Sequence, residues 1–132
     1  MKKSPIKINY VVLCDDIRTE EGGKNILIGV YSETVVIPAN TPRFIGPLAF
    51  YIRATLPHRK AVAVSTWIEG PAGEKMNETD WGLMGVLGDV DTNAGLIVWK
   101  LMPWRSEGLG AYKLHMIQGG IDSVIYEFDI RN

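Results

Sequence analysis

The chain has 132 residues, a formal net charge of −1 and 46% hydrophobic residues. This length predicts a single domain over residues 1–132 with one core. A pI near 6.1 argues against nucleic acid as a partner, and no apolar stretch approaches the ~18 residues of a membrane span. A single cysteine excludes an intrachain disulfide, and the N-terminus lacks the apolar core of a signal peptide. We therefore expect a cytoplasmic protein.

The first two predicted strands, residues 6–17 and 25–37, meet at a turn around Gly22 and Gly23. Both runs are apolar on both sides, which predicts strands covered on both faces. Pairing the even residues of the two strands gives the expected register: Tyr10 with Val30, Val12 with Ile28, Cys14 with Ile26 and Asp16 with Lys24.

The third and fourth predicted strands, residues 48–56 and 62–69, alternate in polarity with their even residues inward. Joined by a short loop, they are expected to form a hairpin. Its register would set Tyr51 opposite Trp67 on the outer face, beside Arg53. An exposed aromatic pair of this kind predicts a surface for self-association or partner binding, unless the 74–90 segment covers it. Tyr51, Arg53 and Trp67 are therefore the candidate partner-binding residues.

The rest of the chain continues the pattern of strands. A short strand is expected at residues 83–87 and a longer one at 96–104. Tyr112 follows Gly108 and Gly110 in a way that resembles a tyrosine corner, where the hydroxyl bonds to nearby backbone. The last hairpin, with residues 119–121 as its loop, is expected to place Tyr112 opposite Phe128, Leu114 opposite Tyr126, Met116 opposite Val124 and Lys113 opposite Glu127.

Strand-like runs recur roughly every 10 to 15 residues, with turn residues between them and no helical period. This spacing predicts an all-β fold, an antiparallel β-sandwich of about eight strands. Greek-key, immunoglobulin-like and C2-like variants all fit this pattern.

Residues 14–18, Gly23-Lys24 and residues 27–31 together resemble a family of small, uncharacterised, phage-associated and bacterial proteins. The run Pro47-Leu48-Ala49-Phe50-Tyr51-Ile52-Arg53 fits the same resemblance, which covers roughly the first 55 residues. It implies a compact all-β domain. The family carries no established activity, cofactor or site residues that could be transferred to this chain.

Candidate chemistry is sparse. Asp89, Asp91 and Asn93 alternate like calcium ligands, but the loop lacks the glycine and the closing glutamate of an EF-hand, so an Asx-rich turn is favoured. Asp15 and Asp16 are neighbours on a strand, so they should point to opposite faces and not share a site. Cys14 is expected to be a buried, inert thiol.

These observations favour a non-catalytic binding or assembly module that acts as a homo-oligomer or with another protein, without a cofactor. The alternative is a small metal-dependent or ligand-binding enzyme with its site at the Asp89–Asn93 loop.

Overall fold

The computed structural model describes residues 6–57, 62–83 and 94–132. These residues form nine strands: β1 (Lys7–Thr19), β2 (Asn25–Val30), β3 (Thr34–Val36), β4 (Ile45–Thr55), β5 (Val62–Glu69), β6 (Lys75–Leu83), β7 (Ala94–Arg105), β8 (Gly110–Gln118) and β9 (Ile121–Arg131). Sheet A has the order β2-β1-β4-β7, and sheet B has the order β3-β9-β8-β5-β6. The two sheets pack face to face, which confirms the predicted all-β sandwich. Its assignment to a Greek-key, immunoglobulin-like or C2-like variant stays a prediction.

The expected second strand is in fact two strands in different sheets. Glu33 has a φ of 73°, and the chain around it crosses from β2 in sheet A to β3 in sheet B. β3 then pairs in parallel with β9, so the sandwich is not wholly antiparallel. No helix in the described ranges is long and apolar enough to cross a membrane. Most of the predicted strand at residues 83–87 lies outside the described residues, and β6 ends at Leu83.

The core lies between the sheets and is rich in aromatic rings. Phe50 on β4 of sheet A is fully buried, and its ring centroid lies 6.0 Å from that of Phe128 on β9 of sheet B. Thr66 is a buried polar residue, and its hydroxyl accepts a hydrogen bond of 2.9 Å from the Trp81 indole. The predicted inward alternation is confirmed for both middle strands, with buried side chains at Leu48, Phe50, Ile52 and Ala54 and at Val64, Thr66 and Ile68.

The predicted hairpin between β4 and β5 is wrong. β4 pairs with β1 and β7 in sheet A, whereas β5 pairs with β6 and β8 in sheet B. The inward sides of the two strands therefore face each other across the core instead of lying side by side. Alternation reports only which side of a strand is buried, and that pattern is the same for a hairpin and for a crossing between sheets.

The first hairpin forms with a different register from the one expected. Cys14 lies opposite Val30 and Asp16 opposite Ile28, because β1 continues to Thr19 before the chain turns. At the turn the Glu20 amide donates to the Lys24 carbonyl (2.6 Å), and the Gly23 amide donates to the Glu20 carbonyl (3.1 Å). Positive φ angles at Gly22 (87°) and Gly23 (81°) make this tight loop possible.

The last hairpin matches its predicted register up to a bulge. Tyr112 faces Phe128, Leu114 faces Tyr126 and Lys113 faces Glu127, as expected. Beyond a register shift after Leu114, Met116 faces Ser123 and not Val124. The turn consists of two residues, Gly119 and Gly120, both at positive φ, and the bulge takes up the one-residue difference from the expected three-residue loop.

The hydrogen bonds of the predicted tyrosine corner are confirmed. The buried Tyr112 hydroxyl donates to the Gly108 carbonyl (2.6 Å) and accepts from the amides of Gly108 (3.0 Å) and Glu107 (3.1 Å). One hydroxyl thus satisfies three backbone groups of the loop that enters β8.

Replacing Tyr112 with Phe should lower the free energy of unfolding by roughly 1–3 kcal/mol, because those backbone groups lose their partner in a buried setting. Urea unfolding followed by circular dichroism measures the change. Tyr126→Phe is the matched control, since Tyr126 is a half-buried tyrosine of the same sheet. Equal stabilities for the wild type and Tyr112→Phe would contradict the role of the corner.

Candidate functional site

The three candidate partner-binding residues do not form one surface. Tyr51 and Arg53 alternate with the inward residues of β4 and lie on the outer face of sheet A. Trp67 alternates with the inward Thr66 and Ile68 of β5 and lies on the outer face of sheet B. The sandwich stands between them, so the predicted Tyr51–Trp67 pair is wrong. The ring that stacks with Tyr51 is Tyr10, with centroids 6.2 Å apart.

Trp67 is half-buried, and its ring contacts three neighbouring side chains. It stacks on the imidazole of His115, with centroids 3.8 Å apart, and the Lys75 ammonium lies 5.0 Å from the Trp67 ring centroid. The Trp67 indole also donates to a carboxylate oxygen of Asp122 (3.1 Å). Lys75 belongs to the 74–90 segment, so this segment covers Trp67 in part. Such cover was the predicted alternative to an exposed aromatic surface.

His115 is tied between two carboxylates. Its Nε2 lies 2.7 Å from Glu69 on β5, and its Nδ1 lies 2.7 Å from Asp122 on β9. The carboxylates bind opposite ring nitrogens, so they cannot converge with the ring on one metal ion. The arrangement joins β5, β8 and β9 on the outer face of sheet B. No local sequence pattern indicates these two partners of His115, because they come from other strands.

A second apolar cluster lies on the outer face of sheet A, separate from the main core. Its members are contributed by β1, β2, β4 and β7: Cys14, Ile17, Leu27, Ala49, Tyr51 and Val98. β1 pairs with β4 only as far as Cys14, and from Asp16 onward it pairs with β2 alone. The far end of the β1–β2 hairpin therefore packs on the outer face of β4 and β7. We call this end, residues 16–28, the ribbon.

The ribbon is set off from sheet A by a kink at Asp15 and Gly29. Gly29 has a φ of 68°, and the Asp15 carboxylate occupies the space that a Cβ at Gly29 would fill. The Tyr31 hydroxyl donates a short hydrogen bond to the same carboxylate. Burial, followed by the bond to Asp15 and the charge of Asp15, raises the pKa of the Tyr31 phenol. The donor therefore stays protonated at neutral pH.

The two aspartates bind different partners, which confirms that they do not share a site. Asp16 pairs with Lys100 on β7 at 3.5 Å, and not with Lys24 as expected. A hydrogen bond from the Ile17 amide, and then the charge of Lys100, hold the pKa of Asp16 below its usual value. The sequence could not reveal this partner, because β7 is brought to the ribbon only by the fold.

Cys14 is fully buried beneath the ribbon, as predicted, and its thiol lies 3.7 Å from the Ala49 carbonyl. Burial, with smaller contributions from the charges of Asp15 and Asp16, raises the pKa of the thiol to about 11. A nucleophilic cysteine needs the opposite shift and an accessible sulfur.

Shallow clefts on the described surface include two that are open to solvent. One, of about 290 Å³, lies beside β3 and is lined by three carboxylates, those of Glu33, Glu127 and Asp129. The other, of about 330 Å³, lies between β6 and β8, where the Ser65 hydroxyl donates to Asp80 (2.6 Å). Neither lining includes a histidine or a cysteine.

The candidate metal ligands Asp89, Asp91 and Asn93 lie outside the described residues. Within the described ranges, no group of three or more His, Cys, Asp or Glu side chains is arranged to hold a metal ion.

Comparison with known proteins gives no match of this chain to a family model, and no match to a curated protein.

Gly29→Ala should destabilise the protein more than Gly23→Ala. Both residues have positive φ, so each alanine costs about 1–2 kcal/mol of backbone strain. At Gly29 the added methyl also displaces the Asp15 carboxylate, whereas a Cβ at Gly23 meets no atom within 4 Å. The clash should add about 1–3 kcal/mol, measurable as a lower urea midpoint. If the two variants unfold at the same urea midpoint, the packing of the Asp15 carboxylate against Gly29 does not contribute to the stability of the fold.

Cys14 should react with a disulfide reagent at pH 8 at least about a hundredfold more slowly in the folded protein than in urea. A pKa of about 11, against the ordinary 9.0, leaves about a hundredfold less thiolate, and burial slows access further. The release of chromophore reports this residue alone, because it is the one cysteine of the chain. Similar rates in the two states would show that the cluster over Cys14 opens readily.

Proposed function

We propose that this protein is a non-catalytic binding or assembly module. It binds its partner through β2, at the edge of sheet A, and through the neighbouring outer face of that sheet. One observation carries the proposal. Three of the six residues of β2 have large apolar side chains that are exposed to solvent. Their exposed fractions are 41% for Ile26, 37% for Ile28 and 59% for Val30. Apolar residues gathered on one exposed strand are typical of an interaction surface.

Neighbouring residues on the same side of the sandwich extend this surface. Tyr10 is 47% exposed and stacks on Tyr51. Arg53 lies next to them on β4, and its Nε is a buried side-chain nitrogen with no hydrogen-bond partner in the part of the chain that the structure describes. Tyr51 and Arg53 thus remain in the proposed contact, whereas Trp67 lies on the opposite face.

The state of two reactive side chains in the described residues, Cys14 and His115, supports a non-catalytic role. The Cys14 thiol is buried with a raised pKa, and both ring nitrogens of His115 are engaged by carboxylates. A nucleophile or a general base needs a free atom that can reach a substrate. A cytoplasmic location belongs to the same proposal, since a lone buried thiol requires no oxidising compartment.

Photo-cross-linking in the cells that make the protein tests the contact. A benzophenone amino acid placed at position 28 should give a discrete cross-linked species, because Ile28 lies on the proposed surface. The same residue at position 36 is the control, since Val36 is 65% exposed but lies on β3 of sheet B. No discrete species from position 28, or the same species from both positions, would contradict the proposal.

A further inference from the structure

β2 is the open edge of the sandwich. The other edge of sheet A, β7, lies next to β6, the edge of sheet B. The remaining edge, β3, is only three residues long. β2 has six residues and, among the described strands, pairs with β1 alone. Its outer side therefore presents unpaired backbone groups, which can hydrogen-bond to another strand.

The composition of β2 does not protect this edge. Proteins usually prevent an exposed edge strand from pairing with another chain by a charged residue, a proline or a very short strand. The segment Asn25–Val30 contains no charge and no proline, and its first flanking charge is Lys24. The kink at Gly29 limits the regular part of the edge to residues 25–28.

The turn fixes which backbone groups point outward. Glu20 and Lys24 form a hydrogen-bonded pair at the end of the hairpin. Bonded and non-bonded pairs alternate along an antiparallel ladder, so Arg18 and Ile26 are bonded to each other and Ile17 and Leu27 are not. The amide and carbonyl of Leu27 thus point away from β1, toward the free edge.

We propose that two copies of this chain pair edge to edge through β2, antiparallel, with a two-fold axis at Leu27. This pairing rests on the proposed binding function, and in it the partner is a second copy of the chain. Each Leu27 amide would donate to the Leu27 carbonyl of the second copy, joining the two A sheets into one. Ile26 would lie beside Ile28 of the second copy, on the same exposed face.

A second copy of the chain fits the β2 edge because this edge is complementary to itself. The two-fold axis needs a residue with both backbone groups outward at its centre, and Leu27 is such a residue inside the regular stretch, whereas Asn25 lies at its end. In the joined sheet, four residues lie side by side across neighbouring strands: Arg18 and Ile26 of one copy, then Ile28 and Asp16 of the second copy. The two-fold axis repeats this row of residues. Apolar residues meet at the junction, and the charges at the two ends of a row are opposite in sign.

Residue-resolved hydrogen exchange on the purified full chain tests this pairing. The Leu27 amide should exchange roughly tenfold or more slowly as protein concentration rises, while the Ile26 amide, bonded within the hairpin, is protected at every concentration. Rapid exchange of Leu27 at the highest soluble concentration would overturn the proposal, and that result does not depend on any variant folding.

Sedimentation velocity gives the second measurement. The wild type should sediment as a dimer of the 14.7 kDa chain, and Ile28→Lys as a monomer with an unchanged circular dichroism spectrum. The new ammonium would face Asp16 within the hairpin, so the fold should tolerate it. Val36→Lys, the matched control on sheet B, should stay dimeric. A monomeric wild type, or a dimer that only Val36→Lys dissociates, would overturn the proposal.

The cross-linking experiment separates this inference from the proposed function. A species of twice the chain mass from position 28 supports both. A species of another mass from position 28 means that a different protein occupies the edge, which overturns the second copy and leaves the binding function standing. The absence of any species removes both.

Discussion

The sandwich depends on aromatic contacts that join its two sheets. Phe50 from sheet A packs against Phe128 and Tyr126 from sheet B, with ring centroids 6.0 and 6.5 Å apart. Trp104 on β7 meets Tyr112 on β8 in an edge-to-face contact at 5.7 Å. Burying one such ring contributes about 1.5–3 kcal/mol, and a well-oriented pair adds about 0.5–1.5 kcal/mol. Because these rings come from both sheets, separating the sheets would lose all of these contacts together.

Two of these aromatic residues donate hydrogen bonds to residues in irregular parts of the chain. The Trp104 indole donates to the Asn77 side chain at 2.9 Å, and Asn77, the third residue of β6, has a positive φ of 55°. Tyr112 bonds to the loop that precedes it. A buried donor without a partner costs about 1–3 kcal/mol, which is comparable to the cost of a local distortion. The irregular points at Asn77 and in the loop before β8 therefore supply acceptors for Trp104 of sheet A and Tyr112 of sheet B.

Alternation along each strand made the inward residues predictable, including Phe50, Ile52 and Ile68, because burial on one face leaves a period of two in the sequence. The neighbours of each strand were not predictable, because β4 and β5 show the same alternation whether they pair or face each other. The predicted pair of Lys113 and Glu127 is correct because a bulge beyond Leu114 compensates for a turn one residue shorter than expected, and next to the turn the predicted register failed. The partners of His115 and Asp16 come from distant strands, so no local pattern indicated them.

The surface follows from the geometry of the ribbon. A two-stranded ribbon has two faces and two edges. The kink at Asp15 and Gly29 turns the face that carries Ile17 and Leu27 onto the outer side of sheet A, where it covers Cys14 and Ala49. This explains why β2 is apolar on both sides. One face is used within the chain, and the other face, with the free edge of β2, is left to water in a single copy. Exposed isoleucines beside an uncharged edge are an aggregation hazard unless something pairs with them. The same kink that completes the small cluster over Cys14 therefore leaves the other face of β2 exposed, and this is the face at which we propose that a partner binds.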